Sequence, residues 1–182
     1  GGITVRQFFT LVLFIYFCFL TKPLHAECTI GWNGLPGVSD VYAVYAATTW
    51  DPDGTGPAPR LLIIGGLFRV AGSSSAGNIA AWDGAHWQPL GSGLDQAVNA
   101  LTVFNGDLIA GGFFTTAGGV IVNGIARWDG ATWHPLGEGM GQFPVVTALT
   151  VHDGELIAGG YFTRAGGVSA NLIARWNGVN WR

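Results

Sequence analysis

The sequence predicts an all-β chain built from about three four-stranded repeats, and three observations carry that expectation. A long motif appears three times. Each copy holds short apolar runs separated by tight-turn signals. No helical period appears after the first 26 residues.

The chain opens on a different kind of segment. Arg6 supplies a positive charge, and Phe8 to Leu20 is an almost unbroken apolar run of about 13 residues. Thr21, Lys22 and Pro23 follow, and then Leu24-His25-Ala26. A charged start, an apolar run and a small-residue site make the pattern of a secretory signal peptide, assigned to residues 1–26. The alternative is a membrane anchor, but a spanning helix needs roughly 20 apolar residues. Glu27 directly before Cys28 does not suit a lipoprotein signal. The expected location is therefore secreted, extracellular or at the cell surface, with no stable membrane span after cleavage.

Residues 27–40 form an N-terminal segment before the repeats. Cys28 is the one cysteine left after cleavage, so either a partner thiol elsewhere or a buried free thiol is open. The segment after Ala26 carries six arginines, no lysine and eleven carboxylates, a net of −5. Nucleic acid and anionic membrane surfaces call for basic patches, so this balance argues against both as partners.

The repeats follow. Leu108-Ile109-Ala110-Gly111-Gly112 recurs as Leu156-Ile157-Ala158-Gly159-Gly160, with a looser copy at Leu62-Ile63-Ile64-Gly65-Gly66. Ile125-Ala126-Arg127-Trp128-Asp129-Gly130-Ala131-Thr132-Trp133 recurs as Ile173-Ala174-Arg175-Trp176-Asn177-Gly178-Val179-Asn180-Trp181, with an earlier copy from Ile79 to Trp87. Glycine pairs and tryptophans step together by 46 and then 48 residues, the two extra falling near Phe143-Pro144. The repeats are assigned to residues 41–95, 96–141 and 142–182. Gly65, Gly66, Gly111, Gly112, Gly159 and Gly160, with Trp82, Trp128 and Trp176, are read as structural positions.

The middle repeat shows the expected strands. Val98 to Phe104 is the first, and Asn105-Gly106 is a type I′ hairpin signal because both turn positions need φ > 0. Leu108 to Phe114 is the second. Thr115 to Asn123 is a Gly-rich connection, and Gly124 to Trp128 is the third strand. Asp129-Gly130 is a second tight turn. Ala131 to Leu136 is the fourth strand, closed by Pro135. The third repeat has the same turns at Asp153-Gly154 and Asn177-Gly178. The first has a longer first hairpin, looping from Trp50 to Pro57. Matching Trp181-Arg182 to the middle repeat places them inside a fourth strand, so the sequence reads as a fragment ending within its third repeat. Because its last repeat leaves a strand edge and a sheet face uncovered, the fragment is expected to fold poorly alone.

Four strands in about 46 residues is the size of a β-propeller blade, for which units of ~40–50 residues are usual. The expected architecture is a β-propeller fragment of about three blades; an open β-solenoid is the alternative. The motif Leu-Ile-Ala-Gly-Gly-x-Phe-Thr-x-Ala-Gly-Gly, followed by Ile-Ala-Arg-Trp-(Asp/Asn)-Gly-x-x-Trp, resembles the repeat of large secreted bacterial kelch-like propeller proteins. Cys28-Thr29-Ile30-Gly31-Trp32 and Thr49 to Gly54 resemble that group's N-terminal region. The resemblance covers residues 28–182 and implies a repeat type rather than an activity. The Gly-Gly pair and later Trp are also similar to galactose-oxidase-type blades. No Tyr/His copper constellation accompanies them, so an oxidase role does not carry over. Asp129-Gly130-x-x-Trp133 resembles the Asp-box of sialidase blades, where the glycine lies two residues after the aspartate. Here it follows directly, and Asp129 reads as a turn residue.

Candidate chemistry is sparse. The repeated tryptophans Trp82, Trp87, Trp128, Trp133, Trp176 and Trp181 suit either a sugar-stacking platform or sheet-to-sheet core, and stacking of identical units favours core. Trp133 and Trp181 are kept as candidate ligand-binding residues. So are Arg127 and Arg175, which recur at one position where the first repeat has Ala81. They either bind carboxylates bidentately or are exposed or locally paired. Asp51, Asp53 and Gly54 faintly resemble a calcium loop, but no bidentate Glu follows at the required place, and a plain hairpin loop is favoured. His86, His134 and His152 lack metal-ligand spacing. Glu138, Asp153 and Glu155 are available for a carboxylate pair; but Asp153 is a turn residue and Glu155 matches Asp107. No catalytic residue, metal or cofactor is expected. Three functions remain in view: a non-catalytic scaffold binding an extracellular protein or glycan, the scaffold part of a polysaccharide-active enzyme, or a structural surface or matrix repeat.

Overall fold

In the computed structural model the described residues are 38–182. The expected signal peptide at 1–26, most of the N-terminal segment and Cys28 lie outside them. The described part is all-β: no helix occurs in it, and all its strand pairings are antiparallel, unlike the parallel coil of a solenoid. Among these residues no helix is long and apolar enough to cross a membrane.

Three sheets follow one another along the chain. The first holds β1 (Val38–Trp50), β2 (Leu61–Ala71), β4 (Ile79–Trp82) and β5 (Trp87–Pro89) in that order, with β3 (Ser74–Ser75) on the far end of β2. The second holds β6 (Val98–Phe104), β7 (Asp107–Gly112), β10 (Ile125–Trp128) and β11 (Trp133–Pro135). The third holds β12 (Val145–His152), β13 (Glu155–Tyr161) and β16 (Ile173–Trp176), to which Trp181 adds a single bridge opposite Trp176. Each is a meander whose strands pair in chain order. The Gly-rich connections also pair, as the two-residue hairpins β8 (Thr116–Ala117) with β9 (Val120–Ile121) and β14 (Arg164–Ala165) with β15 (Val168–Ser169). The sequence predicts loops here, because two-residue strands are too short to show a period.

The first turns behave as their chemistry dictates. Asn105 and Gly106 have φ of 53° and 89°, and Asp153 and Gly154 have 50° and 74°, so both positions of each turn are left-handed. The second turn differs from expectation. Trp128 pairs directly with Trp133, enclosing four loop residues, so the fourth strand starts at Trp133 rather than Ala131. The cause is Asp129, whose Oδ1 accepts from the backbone N–H groups of Ala131 (2.9 Å) and Thr132 (2.8 Å) and so withholds them from the ladder. Asp83 and Asn177 cap the matching loops in the same way.

A β-bulge falls at the same place in every sheet. The register of the first strand pair shifts between Val44 and Ala46, between Val98 and Ala100, and between Val146 and Ala148. In a regular strand, residues three apart point to opposite faces. The extra residue brings Val98 and Leu101 to one face, and Val146 and Leu149 likewise. Those side chains explain the first glycine of each pair. A Cβ on Gly65 would lie 2.5 Å from Val98 Cγ1 and 3.3 Å from Leu101 Cδ1; one on Gly111 would lie 2.6 Å from Val146 Cγ1 and 3.1 Å from Leu149 Cδ1. The second glycine has a different reason. A Cβ on Gly66, Gly112 or Gly160 would strike the bulged backbone of its own sheet, at the carbonyl of Ala43, Ala97 or Val145. One glycine of the pair thus admits the next sheet, and the other admits the bulge.

The apolar residues gather between the sheets. One core joins Ile63 and Ile79 of the first sheet to Val98, Leu108, Ala110 and Trp133 of the second. The next joins Ile109 and Ile125 of the second sheet to Val146, Leu156, Ala158 and Trp181 of the third. Ile63, Ile79, Ile109 and Ile125 are fully buried, each worth about 1.5–3 kcal/mol on burial. Within each sheet two tryptophans face across the last strand pair: Trp82–Trp87, Trp128–Trp133 and Trp176–Trp181, with ring centroids 5.2–5.4 Å apart and planes tilted by 48–52°. In the second and third sheets the second of the pair reaches back to the preceding repeat. Trp133 Nε1 donates to the Leu90 carbonyl and Trp181 Nε1 to the Leu136 carbonyl, both at 2.9 Å.

Candidate functional site

The matched tryptophans and arginines are placed by the same repeat geometry. Trp133 and Trp181 are buried, their indole N–H groups occupied by backbone carbonyls of the preceding sheet. As placed, they pack sheet on sheet and present no ring face to a ligand. Trp82, Trp128 and Trp176 pair with them or with Trp87 inside the sheets.

Arg127 lies opposite Ile109 in the ladder and so points toward the third sheet. Its Nη1 donates to Asp107 Oδ2 at 2.7 Å. Arg175 makes the matching pair with Glu155 at 3.4 Å, and Arg182 also meets Glu155. The first repeat has Leu61 and Ala81 at these two positions, so acid and base are absent together there. Both arginines are therefore paired within their own sheets, the acid coming from the strand beside them. The Asp107–Arg127 pair lines a cleft of about 420 Å³ between the second and third sheets, with Asn105, Ile109, Trp176 and Gly178 around it. Arg175 and Arg182 line a shallower hollow of about 260 Å³ on the third sheet with Ile157, Ile173 and Ala174.

One polar cluster was not visible from spacing. His134 Nε2 lies 2.6 Å from Asp129 Oδ2 and 2.9 Å from Thr132 Oγ1. A hydroxyl, an imidazole and a carboxylate in reach of one another suggest a nucleophile relay, but a relay uses both ring nitrogens, one for each partner. Here both partners meet the same nitrogen, and Asp129 is engaged in capping its loop. The backbone N–H groups of Thr132 and Ala131, then His134, hold the Asp129 carboxyl well below the usual carboxylate range. Asp83 is lowered by the same backbone donors in the first repeat.

Asp53 accepts from the Ala58 N–H at 3.0 Å, closing its own loop as a hairpin cap. Among the described residues no group of three His, Cys, Asp or Glu side chains is placed to hold a metal ion. Glu138, Asp153 and Glu155 stay apart in role: Asp153 is in a turn, Glu155 pairs with arginines, and the Glu138 backbone carbonyl accepts from Asn123.

Tyr45, Phe113, Phe143 and Tyr161 are the exposed aromatic residues among those described, and two of them recur at one repeat position. Phe113 (47% exposed) and Tyr161 (71% exposed) occupy one repeat position, directly after the Gly-Gly pair, where the first repeat has Leu67. The sequence carried this signal as the variable residue in Gly-Gly-x-Phe. In sequence an apolar residue beside a buried strand is indistinguishable from core. No protein-family model and no curated protein matches this chain.

Proposed function

We propose that residues 41–182 are blades of a secreted β-propeller acting as a non-catalytic scaffold that binds an extracellular protein or glycan. One observation carries the reading. Recurring polar side chains hold the repeat itself: Asp83, Asp129 and Asn177 cap loops, Arg127 and Arg175 pair with neighbouring acids, and Trp133 and Trp181 tie sheet to sheet. The recurring aromatic position of Phe113 and Tyr161, by contrast, lies open to a partner. The blade reading is supported by the meander order, the face-to-face stacking of successive sheets and the 46–48-residue period. The secreted location is supported by the pattern of residues 1–26.

The test is binding of the purified chain to arrays of glycans and extracellular proteins, with polysaccharide hydrolysis measured alongside. A saturable partner is expected, weakened about ten- to hundredfold by Tyr161→Ala or Phe113→Ala if each ring is buried on binding. Release of sugar from a polysaccharide would refute the non-catalytic reading. Silence across a broad array would refute the binding one.

A further inference from the structure

The two seams between successive sheets are built from matched positions, yet one is sealed and the other holds a cleft. In the first seam the positions of Asp107 and Arg127 carry Leu61 and Ala81. Trp50, which pairs with Leu61 at the end of β1, is 4% exposed and shares a buried cluster with Trp128. Its Nε1 donates to the Gly106 carbonyl at 2.8 Å, and a Cβ on Gly130 would lie 3.6 Å from its Cη2. One indole thus fills the first seam and reaches both loops of the second sheet. In the second seam Phe104 holds the position of Trp50, pairing with Asp107, and is buried in the core with Ile109 and Trp181. The matching space beside it is the cleft of about 420 Å³. Trp176 and Gly178 stand across it where Trp128 and Gly130 meet Trp50, and Trp176 stays partly exposed where Trp128 is buried.

The groups around this cleft are mixed. Asp107 Oδ2 and Arg127 Nη1, 2.7 Å apart, hold each other in place. Among the described residues no other hydrogen bond engages the second Asp107 oxygen or the remaining guanidinium N–H groups. Asn105 brings an amide to the same cleft: a Cβ on Gly178 would lie 3.9 Å from its Nδ2. An acceptor, a fork of donors and an amide suit vicinal hydroxyls, each of which donates and accepts. A partly exposed indole suits the C–H face of a pyranose ring. Asp107 already balances the Arg127 charge, so the set favours a neutral sugar over a sugar acid. The volume lies near the low end of the ~300–1,000 Å³ usual for small-ligand sites. We infer that this cleft is a subsite for a neutral pyranose of an extracellular glycan. The inference rests on the binding reading for its class of partner. Its place is separate from the position of Phe113 and Tyr161, since Asp107 opens β7 and Phe113 follows its last residue.

Isothermal titration of the full 182-residue chain with glucose, galactose, mannose and N-acetylglucosamine, and with their β-linked disaccharides, tests the inference. Saturable binding of at least one neutral sugar is expected, with a change in tryptophan fluorescence from Trp176. Asp107→Leu combined with Arg127→Ala installs the residues of the first seam, and Phe104→Trp supplies its indole. Each change should weaken the sugar about ten- to hundredfold, by removing hydrogen bonds to charged groups or by filling the space, while the melt stays cooperative. Phe113→Ala and Tyr161→Ala should leave the sugar's affinity unchanged. No saturation by any neutral sugar, tighter binding of glucuronate than of glucose, or affinity unchanged in both cleft variants would overturn the inference. A partner whose binding falls only with Phe113→Ala or Tyr161→Ala would overturn the cleft and keep the proposed scaffold. A chain that binds nothing at all loses both.

Discussion

The Gly-Gly motif occurs in the same words in the second and third repeats, yet the structure predicts opposite outcomes for one substitution in each. In Gly111→Ala the new methyl would lie 2.6 Å from Val146 Cγ1 and 3.1 Å from Val146 Cβ and Leu149 Cδ1. A β-branched valine has few rotamers to retreat into, and Val146 is fully buried. The two sheets must therefore separate locally. Overpacking of this kind costs about 1–3 kcal/mol, or about 2–12 °C in Tm for a domain of this size. In Gly159→Ala the nearest atoms stand at 3.9 Å, and φ is not in the left-handed region. The methyl then gives only the entropic benefit of replacing a strand glycine, about 0.5–1 kcal/mol in the favourable direction. Thermal and urea melts followed by tryptophan fluorescence suit a chain with paired indoles in every repeat. A difference of about 1.5–4 kcal/mol between the two variants is expected. Equal stabilities would refute the claim that the first glycine of each pair is required by the following sheet.

Two further predictions follow from the loops and the indoles. Asp129 has its folded-state pKa depressed, chiefly by backbone donors; its contribution is present above the unfolded carboxylate value of about 4 and is lost as pH falls below it. Asp129→Asn, which keeps the cap that Asn177 already forms, should flatten the decline of stability below about pH 4. An unchanged acid profile in pH-dependent urea melts would sink that account. Trp133→Phe keeps an aromatic ring but removes the indole donor, leaving the Leu90 carbonyl with the Gly93 N–H at 3.2 Å. A loss of about 0.5–1.5 kcal/mol is expected for the one hydrogen bond removed, and a variant as stable as its parent would remove this bond from the list of sheet-to-sheet ties.

Much of the strand layout was legible because it is written in local chemistry. Asn105-Gly106 and Asp153-Gly154 adopt the left-handed turn that those residue pairs favour over most others, and the strands flanking them fall where the apolar runs lie. The period located the three sheets for the same reason: identical local sequences make identical local structure. Element ends were less legible. The fourth strand began two residues late because a side-chain carboxylate competed for the backbone donors of Ala131 and Thr132, a contest that apolar patterning does not record.

The candidate site was the least legible part. Arg127 and Arg175 stood out by recurrence, but recurrence does not tell a ligand-seeking guanidinium from one held by its neighbour. The acids that hold them, Asp107 and Glu155, lie 20 residues away in sequence and become adjacent only when the second and third strands pair. Sequence alone determined that the described part of the chain is all-β, repeated every 46–48 residues, and turned by Asn-Gly and Asp-Gly pairs, because each of those features is decided within a few residues of backbone. The tertiary structure decided why there are two glycines, which aromatics are core and which are open, and which sheet faces are left unmatched. Each of those depends on atoms brought together from different sheets, and the identical residues Ile125 and Ile173, one sealed and the other bare, differ only in whether a sheet stands in front of them.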